Sequence, residues 1–166
     1  MYAHHGTITL LMAYLSWLIL VNMDSLYKVW VIVYRQQEYG IELLLLKPNP
    51  EPDMDREYYV ITGGIEQGET AKEAALRETH EEIGLEPLSV IDLNSSFEYT
   101  NMRNGSRVAE RCFLAKVNGG SDITLNEEHI GYKWVSIDGF RKNIWWVGPR
   151  EPLHELLNKV HKLITH

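Results

Sequence analysis

Cysteine is nearly absent: Cys112 is the only one. That excludes an internal disulfide and a cysteine-rich zinc site and suits a reducing compartment, so the cytoplasm is the expected location. Positive charge is also scarce, with 16 Lys and Arg against 23 Asp and Glu, a formal net charge of -7 and an isoelectric point near 5.5. Holding DNA or RNA through many phosphates needs clustered Lys and Arg, so no polymeric nucleic acid is expected as a partner. A small polyanion can still bind if its site is first neutralised, and divalent cations are the usual means. No hydrophobic run reaches the length of a membrane span. The longest, residues 8–21, would be roughly 21 Å long as a helix against a hydrocarbon core of ~30 Å. It makes a poor secretory signal too, because the first basic residue is Lys28 and only His4 and His5 precede the apolar run. Three readings stay open for this stretch: a helix packed on the domain, a membrane-surface anchor, or an extension upstream of a true start at Met23. Residues 1–22 are therefore set apart from a domain spanning 23–166.

What the chain does have, 45% hydrophobic and 23% charged residues in 166, fits one globular domain with a real core. Residues 27–34 (YKVWVIVY) and 41–47 (IELLLLK) read as two β-rich runs joined by the polar RQQEYG, a hairpin whose near-continuous apolarity suggests a central sheet. The segment KPNPEPDMDRE, with its three prolines and four acids, predicts a surface loop. A short strand over 58–61 should end where Gly63 and Gly64 break it. Thr70 with Glu73 three residues on has the pattern of a capping box, and Gly84 that of a carboxy-terminal cap. Residues 88–99 and 107–117 predict an antiparallel pair around the turn signal Asn104-Gly105. Asn118 to Ser121 (NGGS) is another turn, and HIGYKWVSI from His129 another strand. Leu153, Leu156, Leu157, Val160, Leu163 and Ile164 recur at helical spacing behind Pro149 and Pro152. Strands interleaved with a few helices predict an α+β fold.

Residues 63–85 read GGIEQGETAKEAALRETHEEIGL. On a helix at about 100° per residue, Glu78 and Glu82 lie one turn apart with Glu81 beside them, while Leu76, Thr79 and Ile83 turn to a neighbouring face. Like charges so spaced each cost a few tenths of a kcal/mol unless a counter-charge uses them, and Mg2+, a hard ion that takes carboxylate and carbonyl oxygens, is a fitting one. Arg77 is available to pair with an acid such as Glu69 and hold the loop onto the helix. Glu-rich helix faces are commonly just solvated. This segment, however, resembles the Nudix box in Gly63, Glu69, Arg77, Glu78, Glu81, Glu82, Gly84 and the aliphatic Leu85. Its identities at fixed spacing arise by chance on the order of 10⁻⁹ per window when each residue type occurs at roughly 5 to 7%. Thr79 departs from the pattern, standing where an aliphatic residue is usual, but its methyl can pack inward.

The resemblance covers about residues 26–165 and implies a Nudix-type α/β/α sandwich with a mixed β-sheet. It further implies that Glu78, Glu81 and Glu82 are the principal Mg2+ ligands (Mn2+ as a substitute), that the Thr62 carbonyl adds another, and that Arg77 orients the helix. The implied reaction is substitution at phosphorus by water in a nucleoside diphosphate linked to another group. Members that have lost the carboxylates act as binding modules, whereas this chain keeps them all. A second stretch, Asn126 to Trp134 (NEEHIGYKW), is similar to one found in the dATP or dihydroneopterin triphosphate pyrophosphohydrolases and in the diadenosine tetraphosphate hydrolases. It implies Glu128 as a general base or extra metal ligand, with Glu127 as its neighbouring decoy. Lys142 to Trp146 (KNIWW) and Tyr59 to Gly63 (YVITG) are similar to the first subgroup. Tyr34, Lys47, Tyr58 and Arg103 are candidate substrate contacts, since an aromatic can stack a base and a cation can meet outer phosphates. Trp134, Trp145 and Trp146 are assigned to the core and His80 to an exposed helix position. The expected activity is Mg2+-dependent hydrolysis of a nucleoside or pterin triphosphate to a monophosphate and pyrophosphate, by a monomer or homodimer. Dinucleoside polyphosphate hydrolysis and a non-catalytic nucleotide sensor are the alternatives.

Overall fold

Two apolar runs next to each other in sequence fold back on each other. In the computed structural model, which describes residues 25–50, 57–101, 104–146 and 150–165, β1 (Ser25–Gln37) and β2 (Gly40–Pro48) form an antiparallel hairpin with Gln37 opposite Gly40. RQQEYG was expected to be the loop, yet its first three residues extend β1 and only Glu38 and Tyr39 turn. Gly40, at φ 134°, adopts the conformation that lets so short a turn close. Around β1 the sheet runs β4-β5-β1-β2-β6, where β4 is Ser89–Thr100, β5 Arg107–Val117 and β6 His129–Val135. The strand β3 (Ile61–Gly64) pairs antiparallel with β1 from Lys28 to Val31. β1 and β5 run parallel from Ser25–Arg107 to Arg35–Val117, so the sheet is mixed.

Side chains alternate across this sheet and both faces are covered, which is why β1 and β2 read as continuous apolar runs. Val29, Val31, Val33, Leu44, Leu46, Ile61 and Phe113 pack under helix α1 (Ala71–Ile83). Trp30, Ile32, Leu43, Leu45 and Leu114 pack on the other side against α2 (Ile137–Asn143) and α3 (Arg150–Thr165). Leu153, Leu156, Leu157 and Val160 form the buried stripe of α3, each such side chain contributing about 1.5 to 3 kcal/mol through burial. The architecture is thus an α/β/α sandwich.

Several expectations need correction. Gly63 and Gly64 are the last two residues of β3 instead of following a strand over 58–61, and residue 59 makes only an isolated bridge to Leu46. The last strand stops at Val135, because the Ser136 side chain accepts the Gly139 N–H and caps α2, a helix too short to show a period in the sequence. Trp134, Trp145 and Trp146 are half-buried at the core margin, not within it. Trp146 meets Phe97 edge-on at 4.5 Å and Trp145 meets Tyr59 at 5.6 Å. Residues 1–22, Arg103 and Pro149 lie outside the described residues.

Candidate active site

Local sequence holds α1 at both ends. The Thr70 hydroxyl accepts the Glu73 N–H while the Glu73 carboxylate accepts the Thr70 N–H, and Gly84 closes the helix at φ 69°. Ala74, Ala75 and Ile83 face the sheet. Thr79 is fully buried in the slot where an aliphatic residue was expected, its hydroxyl donating to the Ala75 carbonyl at 2.7 Å so that no polar hydrogen is stranded. With that face turned inward, the acids come out along the edge beside β3.

Arg77 ties this edge together. Its guanidinium donates to both Glu69 oxygens (2.9 and 3.0 Å), to Glu78 (2.8 Å), to Glu81 (3.1 Å) and to the Gly64 carbonyl (2.8 Å). Helix, loop and strand are thereby clamped by one planar fork. Glu69 lies in the loop before the helix cap, not on the helix itself. The Arg77 guanidinium holds the Glu69 carboxyl below its ordinary range, and the hydrogen bonds to Glu69 raise Arg77 still further.

Beyond Arg77 the charges are less balanced. A Cβ placed on Gly63 would lie 1.7 Å from the Glu78 carboxyl, so only glycine lets Glu78 rest on β3. Burial pushes the Glu78 carboxyl up, against the pull of Arg77 and with a smaller push from Glu81 and Glu128. Glu82 is almost wholly buried. Burial raises its pKa, and the His129 and Thr62 hydrogen bonds only partly offset the rise. Thr62, expected to contribute its carbonyl, presents its N–H to Glu82 Oε1 at 3.1 Å.

Glu128 arrives from a distant loop that is docked on both sides. The Ile83 and Glu82 carbonyls at the end of α1 accept the Thr124 and Asn126 N–H groups, and Asn49 after β2 donates to the Glu128 carbonyl at 2.7 Å. The Asn126 side chain accepts the Glu128 N–H, and Glu127, the decoy, is exposed. Donor atoms of Glu82, Glu128 and His129 consequently lie within 4.8 Å of one another. His129 was not singled out from the sequence, although the Glu-His pair that marked Glu128 contains it. Glu81 turns toward Arg77, and its side chain is 52% exposed.

The candidate substrate residues do not share one place. Tyr34 lies on β1 beyond the β3 pairing, half-buried against the α3-side core, and burial raises its phenol pKa. Lys47 is exposed on β2 beside Gly131. The Tyr58 ring lies 3.5 Å beneath the Lys133 ammonium. Arg103 falls outside the described residues. His80 is exposed, and its Nδ1 lies 2.9 Å from Glu86.

One buried and one half-buried carboxyl, both raised by desolvation, a third acid beside them and one arginine already committed to four partners fit a divalent cation. The donors are hard oxygens, and the added charge would relieve their crowding.

Comparison with known proteins agrees. A NUDIX domain model matches residues 25–156. An Escherichia coli K12 dihydroneopterin triphosphate diphosphatase is 30% identical over 128 residues, covering 68% of this chain and 81% of that protein. A Caenorhabditis elegans asymmetrical bis(5'-nucleosyl)-tetraphosphatase is 30% identical over 111 residues, covering 65% of this chain and 77% of its own length. A Myxococcus xanthus octanoyltransferase is 31% identical over 113 residues, 68% of this chain, but the match spans only 32% of that longer protein. Among solved structures, a C. elegans Ap4A hydrolase in a binary complex superposes with a TM-score of 0.69 at 24% identity, covering 84% of this chain and 98% of the other. A box clamped by Arg77, a mixed sheet between helices and a family match over most of the sequence lead to one conclusion: this chain belongs to the Nudix hydrolase family.

Proposed function

We propose that the protein is a Mg2+-dependent pyrophosphohydrolase of a nucleoside or pterin triphosphate, releasing a monophosphate and pyrophosphate. The observation that carries this reading is the approach of Glu128 to Glu82, beside a Glu78 that rests on Gly63. In it, Glu78 and Glu82 hold the metal, with Glu81 at the exposed margin and the Thr62 carbonyl as a further ligand. A divalent cation bound there supplies Lewis-acid charge to phosphoryl oxygens and acidifies water. Arg77 acts by fixing Glu78 and Glu81 in place. Glu128, exposed at the rim, accepts the proton lost as a water oxygen attacks phosphorus, while the anhydride P–O bond breaks and its electron pair leaves with the departing phosphate group. The pterin choice is supported by the name of the E. coli relative. That of the C. elegans relative supports dinucleoside polyphosphate hydrolysis as a second reading.

Incubating the purified chain with dATP, dihydroneopterin triphosphate, diadenosine tetraphosphate and ADP-ribose, with and without Mg2+, tests the proposal. Pyrophosphate from either of the first two, only with metal, is the expected result. Best turnover of diadenosine tetraphosphate would select the second reading, and no product from any substrate would favour a sensor that binds without hydrolysis.

A further inference from the structure

No step of the proposed hydrolysis uses His129, yet it is among the most confined polar side chains of the described residues. Its side chain is 7% exposed and that of Glu82 3%. His129 Nε2 lies 2.6 Å from Glu82 Oε2, while the other oxygen, Oε1, takes the Thr62 N–H at 3.1 Å. Both oxygens of this one carboxylate are thus held, one from β3 and one from the start of β6. Nδ1 of His129 is buried and meets no hydrogen-bond partner among the described residues. A neutral imidazole bearing its hydrogen on Nε2 satisfies both facts. The Nε2–H is donated to Glu82, and Nδ1 is a bare acceptor, whereas a hydrogen on Nδ1 would be a buried donor with nowhere to go. The backbone supports the arrangement, since the Asn126 N–H bonded to the Glu82 carbonyl and the His129 N–H bonded to the Asn126 carbonyl lock the loop onto the helix end.

We infer that His129 is a positioning residue, which through its Nε2–H sets the orientation of the Glu82 carboxylate for metal binding. Metal-binding histidines commonly lean on an outer carboxylate. Here the roles are exchanged, with the carboxylate as ligand and the imidazole as its outer partner. The inference rests on Glu82 being a metal ligand. In the competing role His129 itself binds the metal, through the bare Nδ1 with Nε2 still on Glu82 or through Nε2 with Glu82 released.

Mn2+ binding to the full chain, followed by electron paramagnetic resonance, separates these cases. His129→Ala should weaken Mn2+ binding by about 10- to 100-fold, the range seen when outer partners of metal ligands are removed. His129→Gln, whose amide nitrogen reaches the place of Nε2, should restore it to within about threefold, whereas His129→Asn, whose amide stops at the place of Nδ1, should not. The Gln and Asn pair keeps the test decisive if the alanine variant fails to fold, since a loss of packing would penalise both. Wild-type Mn2+ showing direct coupling to ¹⁵N-labelled imidazole would overturn the inference in favour of ligation. Unchanged affinity in the Asn variant would overturn it as well, while leaving Glu82 as a ligand. A wild-type chain that takes up no Mn2+ would remove both readings together.

Discussion

The two faces of the central sheet are covered by helices of opposite character. On the α3 side, Leu153, Leu156, Leu157 and Val160 interlock with Trp30, Ile32, Leu43 and Leu45, and Trp30, Phe97 and Trp146 meet edge to face. On the α1 side the helix contributes Ala74, Ala75 and Ile83, and its remaining buried positions are Thr79 and Glu82. Small residues bring α1 close to the sheet, which is what lets Glu78 rest on Gly63, but they bury little apolar area. Both faces of the sheet are apolar, but the first is met by a helix of large apolar side chains and the second by one that gives up apolar contact in order to hold charge near the backbone. Stability and chemistry are therefore separable by side of the sheet.

Glu82→Gln strikes the charged face hardest. It should lower kcat about a thousandfold, several kcal/mol of transition-state stabilisation, with an unchanged circular-dichroism spectrum, the isosteric amide keeping one of the two hydrogen bonds that Glu82 accepts from His129 and Thr62. A twofold loss would undo the ligand role. Leu157→Ala should do the reverse: a loss of about 2 to 5 kcal/mol in urea unfolding, with kcat at low temperature nearly unchanged. If it lowers activity as much as stability, the two faces are not independent. Glu128→Gln should cost about a hundredfold in kcat, as expected for loss of a proton acceptor, and the loss is read from the pH–rate profile.

Gly63→Ala has a smaller effect and a more diagnostic one. The added methyl collides with the far end of the flexible Glu78 side chain, so the fold should survive while the carboxylate moves and kcat falls about 10- to 100-fold. An unchanged melting temperature with lowered activity is the signature.

The smallest effect is one of pH. Burial raises the Glu82 pKa above the ordinary 4.5, so in the metal-free protein the native state keeps a proton that the unfolded chain releases. The penalty is absent below the ordinary value and grows as pH rises through the raised one. The melting temperature of metal-free Glu82→Gln relative to wild type should therefore rise as pH goes from 4.5 to neutral, on top of a constant offset from the hydrogen bond the amide cannot accept. A difference that does not change with pH would contradict this account, and saturating Mg2+ should remove the rise.

Much of α1 was legible because its signals are local. Thr70 and Glu73 are three residues apart, Gly84 directly follows Ile83, and Arg77 reaches Glu69 across one loop. Strand existence was legible from apolar runs, but strand limits were not. Gly63 and Gly64 carry the usual marks of a break, and pairing with Lys28 and Val29 is what makes them strand. Seven-residue α2 displays less than two full periods and was missed for that reason.

By itself the sequence determined the two-sided burial of β1 and β2, the capped helix α1 and the spacing of its acids. These depend on the intrinsic preferences of residues within a few positions of each other. Only the tertiary structure decided that β1 runs parallel to β5, that Glu128 comes from a far loop to the acids of α1, and that His129 holds Glu82 across 47 residues of chain. Such contacts form where chain entropy must be overcome by packing and hydrogen bonds contributed from several elements at once, and no short window of residues records that balance.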